Sequence, residues 1–104
     1  MKNTPKKGKF RHIVFKDGDT WYAVALEFNI VETGDDAKLA YFSLLQATEG
    51  YIKAVAKVKG TTNYHALNQV PDAEYEELWN LLHSSKPVKS PYQIGMYGFS
   101  ATHA

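Results

Sequence analysis

The chain has 104 residues, 44% of them hydrophobic and 22% charged, the balance of one folded domain. It has no cysteine, which excludes disulfides and thiolate metal centres, and no run approaches the roughly 20 apolar residues that span a bilayer. The net charge is +1 but unevenly spread: six of the 12 basic residues lie in residues 1–16 with no acid, and the other six stand against all 11 acids, leaving +6 before and −5 after. Met1–Lys7 carries charge with no apolar run behind it, so no signal peptide and a cytoplasmic location are expected.

Residues 1–9 read as a basic flexible arm, and residues 10–104 as a single α+β domain with a C-terminal extension from about 61. Phe10–Lys16 is rich in β-formers and predicts a strand. Asp17-Gly18-Asp19 is a hairpin turn signal, since glycine tolerates the positive φ such turns need. Thr20–Phe28 alternates. Tyr22, Val24, Leu26 and Phe28 share one face, expected to lie on a core. Trp21, Ala23, Ala25 and Glu27 share the other, small and amphipathic enough to be partly covered too. Asn29 sits at a tight connection to a short third strand, Ile30–Thr33.

Asp36 is placed to cap a helix running to about Lys59 and stopped by Gly60. Ala40, Leu44, Ala47, Tyr51, Val55 and Val58 form its apolar stripe, widened by Leu45, Thr48 and Ile52. Gly50 lies inside it, marking a close packing contact or an early end. Residues 61–70 read as a loop. Asp72 caps a second helix, Ala73–Ser84, with Glu74, Glu76 and Glu77 near its N-terminus and Tyr75, Leu78, Trp79 and Leu82 as its apolar stripe. Tyr92–Phe99 is a possible last strand, weakened by Gly95 and Gly98. The sum is an antiparallel sheet of three to four strands packed on one long helix.

The run Gly18-Asp19-Thr20-Trp21-Tyr22-Ala23-Val24-Ala25-Leu26-Glu27-Phe28, followed by Val31-Glu32-Thr33-Gly34-Asp35-Asp36 and a helix with Ala40-x-x-x-Leu44-x-x-Ala47, resembles the HicB-like antitoxin domain over about residues 10–58. The resemblance implies a partial ribonuclease H-like fold without that superfamily's nuclease site. It also implies a small HicA-like mRNA-cleaving toxin as partner, blocked by occlusion of its active surface. Members often carry a C-terminal DNA-binding segment. Here the second helix presents Glu74, Glu76 and Glu77 where a recognition helix presents basic and amide groups, which argues against DNA binding.

Reactive constellations are missing from the sequence. His12, His65, His83 and His103 have no metal-binding spacing, and Ser43, Ser84 and Ser85 have no nucleophile-elbow context. Asp17 and Asp19 flank a turn glycine and Asp35 and Asp36 precede a helix, ordinary positions for aspartate. No enzyme activity, cofactor or metal is therefore expected. Two functions fit. The first is an antitoxin-type protein whose acidic body complements a small basic toxin, with Trp21 and Glu27 as candidate interface residues. The second is an RNA-binding or RNA-associated regulatory module that contacts phosphates through Lys6, Lys7, Lys9 and Arg11, with aromatics such as Trp21, Tyr22, Phe28, Tyr92, Tyr97 and Phe99 available to stack on bases or to fill the core. The basic arm has equally the composition of a solvated terminus. Self-association through an edge strand of the hairpin is compatible with either, so a homo-oligomer is expected and a membrane partner is not.

Overall fold

The alternation at 10–25 and the helical repeat beyond Asp36 fold as their periods require. A computed structural model describes residues 3, 7–57, 63–84 and 92–103. Its elements are β1 (Lys7–Asp17), β2 (Thr20–Ala25), a 3-10 turn (Leu26–Phe28), β3 (Ile30–Gly34), α1 (Ala37–Lys57), α2 (Asn63–Ala66), α3 (Ala73–His83) and β4 (Gln93–His103). The strands form one antiparallel sheet in the order β3-β2-β1-β4, so the chain is an α+β protein.

Asp17 pairs with Thr20, leaving Gly18-Asp19 as a two-residue turn. Gly18 has φ 65, which suits the first central position of a type II′ hairpin turn. Asn29 adopts the left-handed conformation at φ 52 and ψ 39, and so turns the chain sharply from the 3-10 segment into β3. Its side chain is tied down: Nδ2 donates to the Val70 carbonyl at 3.0 Å, and Oδ1 accepts from the Asp72 amide at 3.0 Å. At the end of β3 a Cβ on Gly34 would collide with the Ala40 backbone, so glycine permits the close turn into α1. Asp36 caps α1 by accepting from the Leu39 amide at 2.8 Å, and Asp72 caps α3 by accepting from the Glu74 amide at 3.0 Å.

The sheet is covered on both faces, not by one long helix alone. On the α1 side Phe10, Val14, Ala23, Ala25 and Phe28 meet Ala40, Leu44, Ile52 and Val55. On the α3 side Ile13, Phe15, Val24 and Leu26 meet Leu78 and Trp79. The two alternating sets of β2 therefore serve two cores. The long helix takes the small-residue face, where Ala23 and Ala25 let it approach β2 closely. The expectation that Phe28 shares a face with Tyr22, Val24 and Leu26 fails at the 3-10 turn. That turn breaks the alternation and sends Phe28 to the α1 side, with ring centroids 5.2 Å from Phe10 and 5.6 Å from Tyr51.

The N-terminal segment also departs from the expected flexible arm. Lys7–Lys9 already belong to β1, paired with His103–Ala101 of β4. Asn3 is buried, donates to the Leu67 carbonyl at 3.0 Å and accepts from the Lys9 amide at 2.7 Å. A side chain on Gly8 would overlap Asn3. The C-terminal residues are integral to the fold, since β4 pairs with β1 along its whole length and runs beyond the predicted Phe99 to His103. A short helix, α2, occupies part of the predicted loop at 61–70. The expected helix end at Lys59-Gly60, with Val58, and the side chains of Lys6 and Lys7 lie outside the described residues.

Gly50 neither ends α1 nor packs closely: it is exposed, and an added Cβ would meet nothing within 4 Å. Gly50→Ala is therefore expected to raise stability by about 1 kcal/mol in urea titration, through helix propensity alone. Ile13→Ala, on the α3 face, is expected to cost about 2–5 kcal/mol, as much as Leu44→Ala on the α1 face. A near-neutral Ile13→Ala would contradict a sheet buried on both sides.

Candidate partner-binding surface

Polar groups brought inside by the fold are largely paired with one another. Arg11, on the α3 face of β1, donates from its backbone amide and from Nε to the two Glu27 carboxylate oxygens, at 2.6 Å each. Its two terminal nitrogens donate to Glu76 of α3 at 2.8 and 2.9 Å, a bidentate pair. The guanidinium also lies 5.4 Å from the Trp79 ring. The hydrogen bonds to Glu76 chiefly, and also Glu27, raise the Arg11 pKa against the opposing effect of burial, and Arg11 holds the Glu76 carboxyl below its ordinary range. Arg11 and Glu27, expected to contact RNA and protein respectively, thus form one internal clip that fastens β1, the 3-10 turn and α3.

On the other face, His12, Ser100 and Tyr41 form a chain: Ser100 Oγ lies 2.8 Å from His12 Nδ1 and 2.7 Å from the Tyr41 hydroxyl. Ser100 is 5% exposed and His12 7%. Serine and histidine are the residue types of a nucleophile and its base. Here they are closed in by the sheet and α1, and they join β1, β4 and the helix.

Trp21 is half-buried and packs onto the α1-side core, against the position where Gly95 lacks a side chain. Lys9 is exposed, with Nζ 4.6 Å from the Phe99 ring centroid. Phe99 and Tyr97 are 55% and 46% exposed on the α3 face of β4, and both meet the Trp79 ring edge-on. Of the other aromatics offered for base stacking, Phe28 is buried, and Tyr22 and Tyr92 pack against Phe15 with centroids at 5.5 and 4.7 Å.

Two adjoining clefts open beside the N-terminal end of α3. The larger, about 500 Å3, is lined by Asn29, Val31, Val70, Asp72 and Tyr75. The smaller, about 190 Å3, is lined by Phe15, Asp17, Tyr22, Glu74, Tyr75 and Tyr92. Tyr75 belongs to both. Among the described residues no lysine or arginine lines either cleft, whereas Asp17, Asp72 and Glu74 do. Val70 stands 85% exposed at the rim. Burial, with Glu74 and Asp72 nearby, raises the Tyr75 pKa, and the hydrogen bond Tyr92 donates to Glu74 is the main cause of a Tyr92 pKa pushed up to about 12. Both phenols are therefore neutral donors at physiological pH. The surface joins neutral tyrosines and exposed valines to unneutralised carboxylates, a composition suited to a cationic, partly apolar partner.

The sequence reading passed over this surface. Glu74 and Asp72 were assigned to the helix end, and Tyr22 and Tyr75, 53 positions apart, gave no sign of meeting. The signal was the run of acids around Tyr75, which exceeds what capping needs. Among the described residues no three of His, Asp and Glu are grouped to hold a metal ion, and no helix is long and apolar enough to cross a membrane. No family model, curated protein or solved structure matches this chain.

The pH response follows from the pairs above. Burial lowers the His12 pKa below 6.5, so the unfolded chain binds this proton more readily than the folded one. Stability is then highest above 6.5 and falls as pH drops from there to the folded-state value. Glu76, held below 4.5 by Arg11, adds a second loss at pH below 4.5. The urea midpoint is expected to fall between pH 7.5 and 5.5, about one unit either side of an ordinary histidine. His12→Gln should flatten that first step and leave the acid step in place. An unchanged slope in that variant would assign the step to another group.

Proposed function

We propose that this chain is a non-enzymatic binding protein of the HicB-like antitoxin type, which neutralises a small, basic, mRNA-cleaving toxin of the HicA-like kind by covering its active surface. The observation that carries the reading is the pair of clefts sharing Tyr75, walled by tyrosines and valines and lined by Asp17, Asp72 and Glu74, with no basic side chain among the described residues. A toxin that acts on RNA must present cationic groups to phosphates. Those same groups suit carboxylates held beside neutral phenols, and aromatic faces add cation–π attraction. The α+β order of strands and helix supports the reading at the level of architecture, and the partial ribonuclease H-like identity is part of the proposal. Trp21 and Glu27 drop out of the proposed contact, because Trp21 packs on the α1 side and Glu27 is held by Arg11.

The test is co-expression with a small basic protein encoded beside this chain's gene. A co-purifying complex and relief of growth arrest are expected. Tyr75→Ala and the charge reversal Glu74→Lys should each weaken the complex by about 10-fold or more, as truncation or reversal at an interface centre does. A neighbour that gives neither complex nor relief would remove the reading.

One observation favours RNA as an alternative partner: Lys9 lies over Phe99, next to exposed Tyr97, so a cation and two rings share one terrace. Anisotropy titration with single-stranded RNA at low salt decides it. Binding that falls steeply with salt and weakens in Lys9→Ala supports it, and no binding at tens of micromolar excludes it.

A further inference from the structure

We propose that β4 is a dimerisation edge, at which two copies of this chain pair their β4 strands antiparallel about a two-fold axis at Gly98 and join their sheets into one. In the order β3-β2-β1-β4 the strand is terminal, so one row of its backbone amides and carbonyls has no strand partner among the described residues. An open edge of this kind is a template for a further strand, and folded proteins usually blunt it with charge, proline or short length. β4 has none of these: Gln93–His103 is 11 residues long and contains no Lys, Arg, Asp, Glu or Pro. The opposite edge, β3, has five residues and carries Glu32. The one register shift in the β1–β4 ladder is the bulge at Gly95, between Ile94 opposite Phe15 and Met96 opposite Val14, and from Met96 onward the pairing keeps one register through Gly98, whose φ is 157.

The charges beside β4 select the partner and its direction. On the α3 face, the C-terminal end of the strand lies beside Lys9, which pairs with Ala101. The N-terminal end lies beside Asp17 and Glu74, which face Tyr92. On this face one end is basic and the other acidic, while Lys16, opposite Gln93, projects on the α1 face with Trp21. Antiparallel pairing with a second copy sets each basic end against the acidic end of its twin, on the same face of the joined sheet. Parallel pairing would set like against like. Full overlap of residues 93–103 places Gly98 on the axis and sets Tyr97 opposite Phe99 of the partner subunit. These two rings are half-exposed in the single chain, and cross-strand aromatic pairs stabilise sheets. The sequence reading looked for the seam on the hairpin; the sheet order moves it to the last strand.

The test uses the full chain. Sedimentation velocity at about 100 µM, far above a micromolar dissociation constant, should give twice the 11.7 kDa chain mass. Amide hydrogen exchange by NMR should show protection along consecutive β4 residues, and on dilution protection should revert to alternate residues, as at a free edge. Tyr97→Lys and Phe99→Lys should each shift the mass to 11.7 kDa while the circular dichroism spectrum is kept. Lys9→Glu should weaken the dimer by about 10-fold, and adding Asp17→Lys should restore it, a rescue that a general loss of folding would not give. A monomer throughout the concentration range overturns the proposal, as does a dimer whose β4 amides still alternate. A dimer indifferent to the charge swap overturns the antiparallel pairing.

Discussion

Most of this structure follows from a central strand with no solvent face. β1 has a strand on each side, and both of its alternating sets are covered: Phe10 and Val14 by α1, and Ile13 and Phe15 by α3. Such a strand needs two helices, and the second must come from residues beyond 61. It also leaves a charge at position 11 nowhere to go but into a pair. Arg11 is met by two carboxylates, one from the 3-10 turn and one from α3, so the cation that would oppose burial of the α3 face becomes the bond that fixes that helix in place. Removing either acid alone would leave a partly buried guanidinium under-paired, which is costlier than the net value of the pair itself.

This arrangement divides the acids of α3 by task. Glu76 points inward to Arg11. Asp72 caps the helix, and Glu74 accepts from Tyr92, leaving both carboxylates near the clefts with no cationic partner among the described residues. The same short helix therefore closes the core and displays the surface we assign to a basic partner. The two functions are on different sides of one turn, which is why a count of charges over the helix does not separate them.

How much was legible in the sequence depended on the distance over which the deciding contact acts. Local signals read well. The Asp17-Gly18-Asp19 turn, the caps at Asp36 and Asp72, and the alternation at Thr20–Ala25 each rest on neighbours a few residues away. The strand reading overran at Leu26–Phe28 because the left-handed Asn29 and its bonds to Val70 and Asp72, more than 40 positions on, reshape the chain there. Trp21 was read as an interface residue because its face looked too small to be a core. That smallness is what lets a helix pack closely, a tertiary fact that period-two patterning does not carry. Asn3 was read as part of a flexible arm and Arg11 as an RNA contact, since their partners at Leu67 and Glu76 are over 60 residues away.

The contrast between the inner and outer polar groups is why we propose binding as this chain's role. A catalytic base must reach its substrate, and a nucleophile must be free to attack. The pair with the right residue types, Ser100 and His12, sits under 8% exposed and is hydrogen-bonded on to Tyr41, so its geometry serves the seam between β1, β4 and α1. The charged groups at the surface are arranged otherwise. Glu74 and Asp17 line an open cleft with Tyr75 and Tyr92, whose phenols are held neutral, a setting suited to a cation. The uncharged edge of β4 begins beside this acidic cleft, so the two surfaces we propose for binding adjoin.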